Sequence, residues 1–226
     1  MRIIRGRGPT VHRDREITNE LTSDVAENDD PFLRVWQPHR QVVFGRRDSN
    51  HQEYELARAI AEKRGFTPVE RAVGGHAVCY TGTTVSFVRA TPVEDPRSGI
   101  SQRYDRTIEQ VESALDRLGV AAARGEPDGS FCPGTHSLSL EGKIVGIAQR
   151  VRKDVAIVGG IVVVQDHGEI ADVLAPIYDI LDISFERNAT GSIARAGGEA
   201  DAQRAISVLE EHLASGERTV EQVRET

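Results

Sequence analysis

The chain has 226 residues, 38% of them hydrophobic and 28% charged, a balance expected of a water-soluble globular protein. A net charge of −7 and a pI of about 5.6 argue against a general nucleic-acid binder. No apolar run approaches the length of a bilayer span, and the basic residues 1–12 are not followed by an apolar segment, so neither a membrane protein nor a secreted one is expected. The expected location is cytoplasmic. Two cysteines, Cys79 and Cys132, are too few for a disulfide framework and are expected as free thiols.

Residues 14–27 carry Ile17, Leu21 and Val25 at helical spacing, and Asn28-Asp29-Asp30-Pro31 ends that helix. Residues 32–36 and 41–45 are expected strands joined at Pro38. Residues 49–65 predict a helix capped by Ser49 or Asn50 and ended by Gly65, with Leu56, Ile60 and Ala57 or Ala61 as its buried stripe. Strands follow at 68–71, 77–80 and 83–90, the first two flanking Gly74-Gly75. A second helix spans 101–118, with Tyr104, Ile108, Val111, Leu115 and Leu118 on one face. Residues 137–140 and 143–149 form a hairpin around Glu141-Gly142. Residues 155–164 form a buried strand that Gly159-Gly160 is expected to break. The Gln165-Asp166-His167-Gly168 cluster is expected as loop, with helices at 172–181 and 200–213 and a Gly-rich loop at 187–198. Strands arriving in runs favour an α+β fold, a mixed and largely antiparallel sheet with flanking helices, over a doubly wound parallel one. The whole of 1–226 is expected as one domain, with 187–226 a loop and helical extension of it.

Two segments can carry chemistry. In Gly129-Ser130-Phe131-Cys132-Pro133-Gly134 the thiol sits among turn-forming residues and is expected at the surface. Eleven positions later comes Lys143, one of three lysines among 28 basic residues. A thiolate is the nucleophilic form of cysteine and a nearby cation favours it, while a lysine can also polarise a carbonyl. Cysteine with lysine therefore points to acyl transfer through a thioester. Cys79, inside an apolar strand, is expected to be a small core residue. In Arg71-Ala72-Val73-Gly74-Gly75-His76-Ala77-Val78 the glycines can present backbone N–H groups to a carbonyl oxygen or anion, with Arg71 adding charge. The alternative for the glycine pair is a plain turn. Gly146 and Ala148 alternate with Ile147 and leave room for something long and thin, and His76 and His136 are candidate bases or donors. No His, Cys, Asp and Glu set has convincing metal-ligand spacing.

Taken in order, these segments resemble the superfamily of lipoate-protein ligases, octanoyltransferases and biotin-protein ligases. Arg34 to His39 with Val43 to Arg46 is similar to its opening strands, Arg71 to Val78 to its Arg-x-x-Gly-Gly-x-Ala-Val lipoyl-binding loop, and Lys143 to Gln149 to its Lys-Ile-x-Gly-x-Ala-Gln strand. The Cys132 segment followed by Lys143 is most similar to the branch that transfers octanoyl from the glycine cleavage H protein to other carrier proteins. The resemblance implies a catalytic domain of that superfamily's fold. It implies Cys132 as nucleophile and Lys143 as the contact of the acyl carbonyl. It places Arg71, Gly74 and Gly75 at the mouth of the acyl tunnel, and His76, Ala77, Gly134, His136, Gly146 and Ala148 are expected around the acyl group with them. The implied partners are an octanoyl or lipoyl group and lipoyl carrier domains of the H protein and of 2-oxoacid dehydrogenase acyltransferase subunits, with no cofactor. Acidic carriers would be steered by Arg46-Arg47 and by Arg150, Arg152 and Lys153. His76 stands where ligases commonly have a third glycine, and Cys79-Tyr80-Thr81 replaces their usual His-Asp pair. The alternative is a lipoate-protein ligase that activates the free acid with ATP and Mg²⁺, and a further one is a non-catalytic module that binds a lipoyl-type ligand.

Overall fold

The computed structural model describes residues 1–72, 74–95, 97–152 and 154–223 of the chain. Strand β1 (Arg2–Arg5) and helix α1 (Val11–Asn28) come first, then strands β2 (Phe32–Trp36) and β3 (Gln41–Phe44), the single-turn α2 (Arg46–Ser49) and α3 (Tyr54–Lys63). Strands β4 (Thr67–Glu70), β5 (Val78–Tyr80) and β6 (Val85–Pro92) lead into α4 (Ile100–Arg117). The short β7 (Ala123–Arg124) and β8 (Ser137–Ser139) precede the long β9 (Lys143–Arg152) and β10 (Val155–Val162). Helix α5 (His167–Ile180), a 3-10 turn (Arg187–Ala189), α6 (Ala202–Leu213) and β11 (Thr219–Gln222) follow. Eight strands form one sheet in the order β11-β1-β2-β6-β10-β9-β8-β7, and β4-β3-β5 form a second. In the large sheet β11, β1 and β2 run parallel and every other neighbouring pair runs antiparallel. This is the mixed, largely antiparallel α+β architecture expected from the sequence.

Strand β2 is buried at every position, so the large sheet is covered on both faces here. Leu33 and Val35 enter a core with Ile108, Val111 and Leu115 of α4 and Val208 and Leu209 of α6. On the opposite face Phe32 packs with Ile17, Leu21 and Val25 of α1. A third core joins the small sheet (Val42, Phe44, Val78, Cys79) to α3 and α5. The α1 face also encloses an ion pair. Arg34, fully buried, donates from Nη2 to Asp14 Oδ1 at 2.5 Å and from Nη1 to Thr18 Oγ1 at 2.7 Å. Asp14 also accepts from the Trp36 indole N–H at 2.9 Å and the Gly8 N–H at 2.8 Å. Burial pushes the Arg34 guanidinium below its usual pKa, and Asp14 works against that shift.

Several elements differ from the sequence expectation. Strand β1 lies in the basic stretch where no element was expected, because its pairing partners begin at Phe32 and Thr219 and leave no local signal. The helix expected at 49–65 is two helices separated by residues 50–53, and its buried face is Tyr54, Ala57 and Ala61. Leu56 is exposed, because the alanines are the side that faces α5. Gly159-Gly160 does not break β10. A Cβ on Gly160 would lie 2.6 Å from the Phe87 ring, so glycine there lets the ring of β6 close onto the strand. Helix α5 starts at His167, earlier than expected, with Asp166 at φ 57° as its cap. Residues 187–198 are loop apart from the 3-10 turn, yet Thr190, Ser192 and Ile193 are fully buried. The C-terminal extension includes a strand as well as a helix. Among the described residues no helix is long and apolar enough to cross a membrane.

The Asp14–Arg34 pair yields a stability prediction. Asp14→Ala leaves a fully buried guanidinium without its counter-charge and is expected to cost about 3–5 kcal/mol. Urea unfolding of the two proteins measures it, and a loss under about 1 kcal/mol would contradict the role assigned to the pair.

Candidate active site

Cys132 occupies a turn held at three atoms. Its backbone sits at φ 41°, a left-handed conformation that costs a non-glycine residue on the order of 1–3 kcal/mol unless the surroundings enforce it. Its N–H donates to the Tyr178 hydroxyl of α5 at 2.6 Å, and that hydroxyl donates to the Ala77 carbonyl at 2.9 Å. Burial pushes the Tyr178 phenol well above its usual pKa, so it keeps the proton that the second bond requires. The Cys132 carbonyl accepts from Lys143 Nζ at 3.0 Å. The sulfur itself accepts from Arg71 Nη2 at 3.2 Å. The turn is thus partly buried, folded onto α5 as well as exposed to solvent.

The glycine loop supplies the wall against the sulfur. Arg71 Nη2 also donates to the His76 carbonyl at 2.8 Å, so one nitrogen spans the loop and the thiol. Gly75 has φ +88°, and a Cβ there would lie 2.9 Å from both Cys132 Sγ and Arg71 Nη2. A Cβ on Gly45, at the start of α2, would lie 1.9 Å from the Gly75 carbonyl oxygen. Both positions need glycine because backbone meets backbone or sulfur directly. Gly74 is exposed with open space around its Cβ direction, and Val73 lies outside the described residues.

Lys143 opens β9 with its side chain inside the protein, 2% exposed, rather than snorkelling at an edge. Its Nζ meets Glu126 Oε1 at 2.9 Å and Oε2 at 3.2 Å, and the Phe131 and Cys132 carbonyls at 3.0 Å each. Ser130 and Ser137 donate to the same Glu126 carboxylate. The cation on the sulfur is therefore Arg71, and Lys143 holds the carbonyl side of the turn. A Cβ on Gly146 would lie 3.1 Å from Lys143 Cε, so the small residue makes room for the lysine stem, which occupies that part of the expected slot. The hairpin turn at Glu141 and Gly142 is braced from outside, since Gly191 N–H donates to the Lys143 carbonyl at 2.9 Å and Gly142 touches Gly191.

The structure gathers Arg71, Gly75, His76, Ala77, Cys132, Lys143 and Gly146 around one turn. Gly134 is exposed and its carbonyl accepts from Ser137. His136 instead stacks on Tyr104 of α4, ring centroids 3.5 Å apart, and Ala148 is an exposed residue of β9. Asp48, Glu126 and Tyr178 escaped the sequence reading. Glu126 lies only six positions before Cys132, but Asp48 and Tyr178 reach the site through long-range packing that no local spacing signals. A cleft of about 780 Å³ lies elsewhere, lined by Arg7, His39, Arg40 and threonines and by none of these residues. Among the described residues no group of three or more His, Cys, Asp and Glu is arranged to hold a metal ion.

The site is thus a partly buried cysteine turn clasped between a Gly-Gly loop and a buried lysine strand, on a mixed sheet. Residues 12–214 match the family model of the lipoyl protein ligase A/B catalytic domain, and the chain belongs to that family. An octanoyl-GcvH:protein N-octanoyltransferase of Lysinibacillus sphaericus is 30% identical over 129 residues, 56% of this chain and 46% of that protein. One from Geobacillus kaustophilus is 30% identical over 138 residues, 60% of this chain and 49% of that protein. The chain thus spans about half the length of these curated relatives. A crystal structure of lipoate-protein ligase A bound with ATP shares the fold at a TM-score of 0.68 and 19% identity, covering 99% of this chain and 89% of that one.

The two thiols are expected to react differently. Cys79 is fully buried and burial pushes its thiol pKa upward, whereas Cys132 is partly exposed beside a guanidinium. Iodoacetamide on the native protein should add one adduct, at Cys132, and a second only after denaturation. Peptide mass mapping checks it, and native labelling at Cys79 would contradict the assignment.

Proposed function

We propose that the chain is an acyltransferase that moves an octanoyl or lipoyl group through a Cys132 thioester onto the lysine of a lipoyl carrier domain. The observation that carries this reading is the Arg71 contact on Cys132 Sγ, in a turn whose backbone is fixed on both sides. A guanidinium has donors only, so the sulfur faces it as an acceptor, and the adjacent positive charge favours the negative charge the sulfur carries as a nucleophile. The names of the relatives support the same reaction. Sγ attacks the carbonyl carbon of an octanoyl-lysine amide on the donor, the C–N bond breaks, and the donor amine leaves. An acceptor lysine amine then attacks the thioester and restores the thiol. Lys143 is assigned to the acyl carbonyl, as the resemblance of its strand implies. Its ammonium already makes four contacts in this conformation, so it would trade one backbone carbonyl for the substrate's. Burying an eight-carbon chain contributes about 0.8 kcal/mol per CH₂ toward holding that carbonyl in place.

Carrier docking is assigned to α2. Arg46 and Arg47 are exposed two and one positions before Asp48, whose carboxylate reaches the His76 ring. Arg150 lies seven residues along β9 from Lys143, roughly 23 Å at about 3.3 Å per residue. Arg150 and Arg152 would thus meet a docked carrier away from its reacting lysine, where their charge can still steer it, and Lys153 lies outside the described residues.

The test incubates the protein with octanoylated H protein and an apo acceptor domain, with and without ATP, followed by intact-mass analysis. The expected result is an octanoyl adduct on Cys132, transfer without ATP, and loss of transfer by at least 100-fold in Cys132→Ser. Full transfer by that variant would falsify the proposal, and transfer only from free octanoate with ATP would replace it with the ligase reaction. Replacing Arg46 and Arg47 by Glu should lower kcat/KM for the acceptor domain about 10-fold at low salt, with the deficit shrinking as salt rises. A deficit independent of ionic strength would remove α2 from the docking surface.

A further inference from the structure

The glycine loop packed against the cysteine turn carries a second titratable pair that neither the transfer reaction nor the Lys143 assignment uses. His76 Nδ1 lies 2.8 Å from Asp48 Oδ1, and the other oxygen of that carboxylate accepts the Gly45 N–H at 3.0 Å. Asp48 is 1% exposed at its side chain, and His76 is 20% exposed. A carboxylate that accepts at both oxygens leaves Nδ1 as the donor, and that tautomer presents Nε2 as the basic nitrogen. Among the described residues Nε2 has no hydrogen-bond partner. The pair is built into the wall of the thiol site. Arg71 Nη2 bonds both the His76 carbonyl and Cys132 Sγ, and the His76 ring lies edge-on to Tyr178, centroids 6.2 Å apart, whose hydroxyl holds the Cys132 N–H. The Gly45–Gly75 contact locks the loop carrying His76 against the start of the helix carrying Asp48.

Resting on the transferase reading above, we propose that His76 is the proton carrier of the reaction and Asp48 its positioning residue, so that Cys132, His76 and Asp48 act in sequence. Breaking an amide needs this more than breaking an activated ester, because an amine leaves only when its nitrogen is protonated. As the S–C bond forms, the thiol proton passes to His76 Nε2. As the C–N bond breaks, Nε2 returns it to the departing lysine nitrogen, which leaves as a neutral amine. In the second half the acceptor amine gives a proton to Nε2 while its N–C bond forms, and the departing Cys132 sulfur takes that proton back. Lys143 is poorly placed for this work. Its Nζ faces two carboxylate oxygens and two carbonyl oxygens, all contacts it makes as a donor, so it is not set to accept a proton. The arrangement follows the general logic of a nucleophile, a base and a carboxylate that orients the base.

Two donors of different leaving group test it on the full-length protein. His76→Asn keeps a donor toward Asp48 and removes Nε2, and Asp48→Asn keeps the shape and removes the charge. Single-turnover acylation of Cys132 is followed by intact mass, with octanoylated H protein as the amide donor. It is followed separately with p-nitrophenyl octanoate, whose phenolate leaves without a proton, at a pH where the thiol ionises unaided. Acylation by the amide donor is expected to fall about 100- to 1000-fold in His76→Asn and at least 10-fold in Asp48→Asn, with the loss in rate and not in KM. Acylation by the ester should fall less than about 5-fold, which also shows that the variant sites are folded. Equal losses with both donors, or normal acylation by the amide donor, overturn the role of His76. A wild-type protein that forms no octanoyl-Cys132 from the amide donor overturns the transferase reading itself, so the two failures are distinguishable.

Discussion

The site depends on three contacts that fix one residue: Tyr178 on the Cys132 N–H, Lys143 on its carbonyl and Arg71 on its sulfur. Each comes from a different part of the fold. Tyr178 is on α5, Lys143 begins β9, and Arg71 follows β4. A cysteine at positive φ is unfavourable by itself, so the turn exists only while all three elements are packed in register. The unfavourable backbone is offset by hydrogen bonds made in a protected setting, where they are stronger than in water.

Burying an ammonium is costly, and the fold meets that cost around Lys143 with a carboxylate and two carbonyls. The same carboxylate gathers Ser130 and Ser137, so the segment before the cysteine and the strand after it share one anchor. The buried loop near Gly191 braces the hairpin from the other side. This puts the lysine's first role in architecture. The contact proposed for it at an acyl carbonyl would draw on the same fixed geometry, since a donor already aimed at carbonyl oxygens needs little reorganisation to meet another.

A comparable buried pair, Asp14 with Arg34, ties α1 to β2 of the large sheet. It fixes the face on which α1 lies and leaves the opposite face to α4 and α6. The large sheet is thereby held between layers, and the small sheet with α3 and α5 becomes the wall on which the glycine loop and Tyr178 meet.

Much of this was legible in the chain. Helical spacing gave α1 and α4, alternation gave β6, and the Glu141-Gly142 turn gave the hairpin whose second strand starts at Lys143. The Gly-Gly loop, Cys132 and Lys143 stood out by residue type, because turn chemistry and a scarce lysine are local properties. The cation that touches the sulfur, the carboxylate under Lys143 and the Asp48–His76 pair were decided only by tertiary structure. They join residues 61, 17 and 28 positions apart, and no periodicity carries information across such separations. Strand β1 and the unbroken β10 belong with them, since a four-residue strand and a glycine pair take their meaning from the neighbours that pack against them. Sequence by itself determined which groups could react. The packing of distant elements determined which of them meet, because contact between side chains is a property of the folded surface and not of the chain.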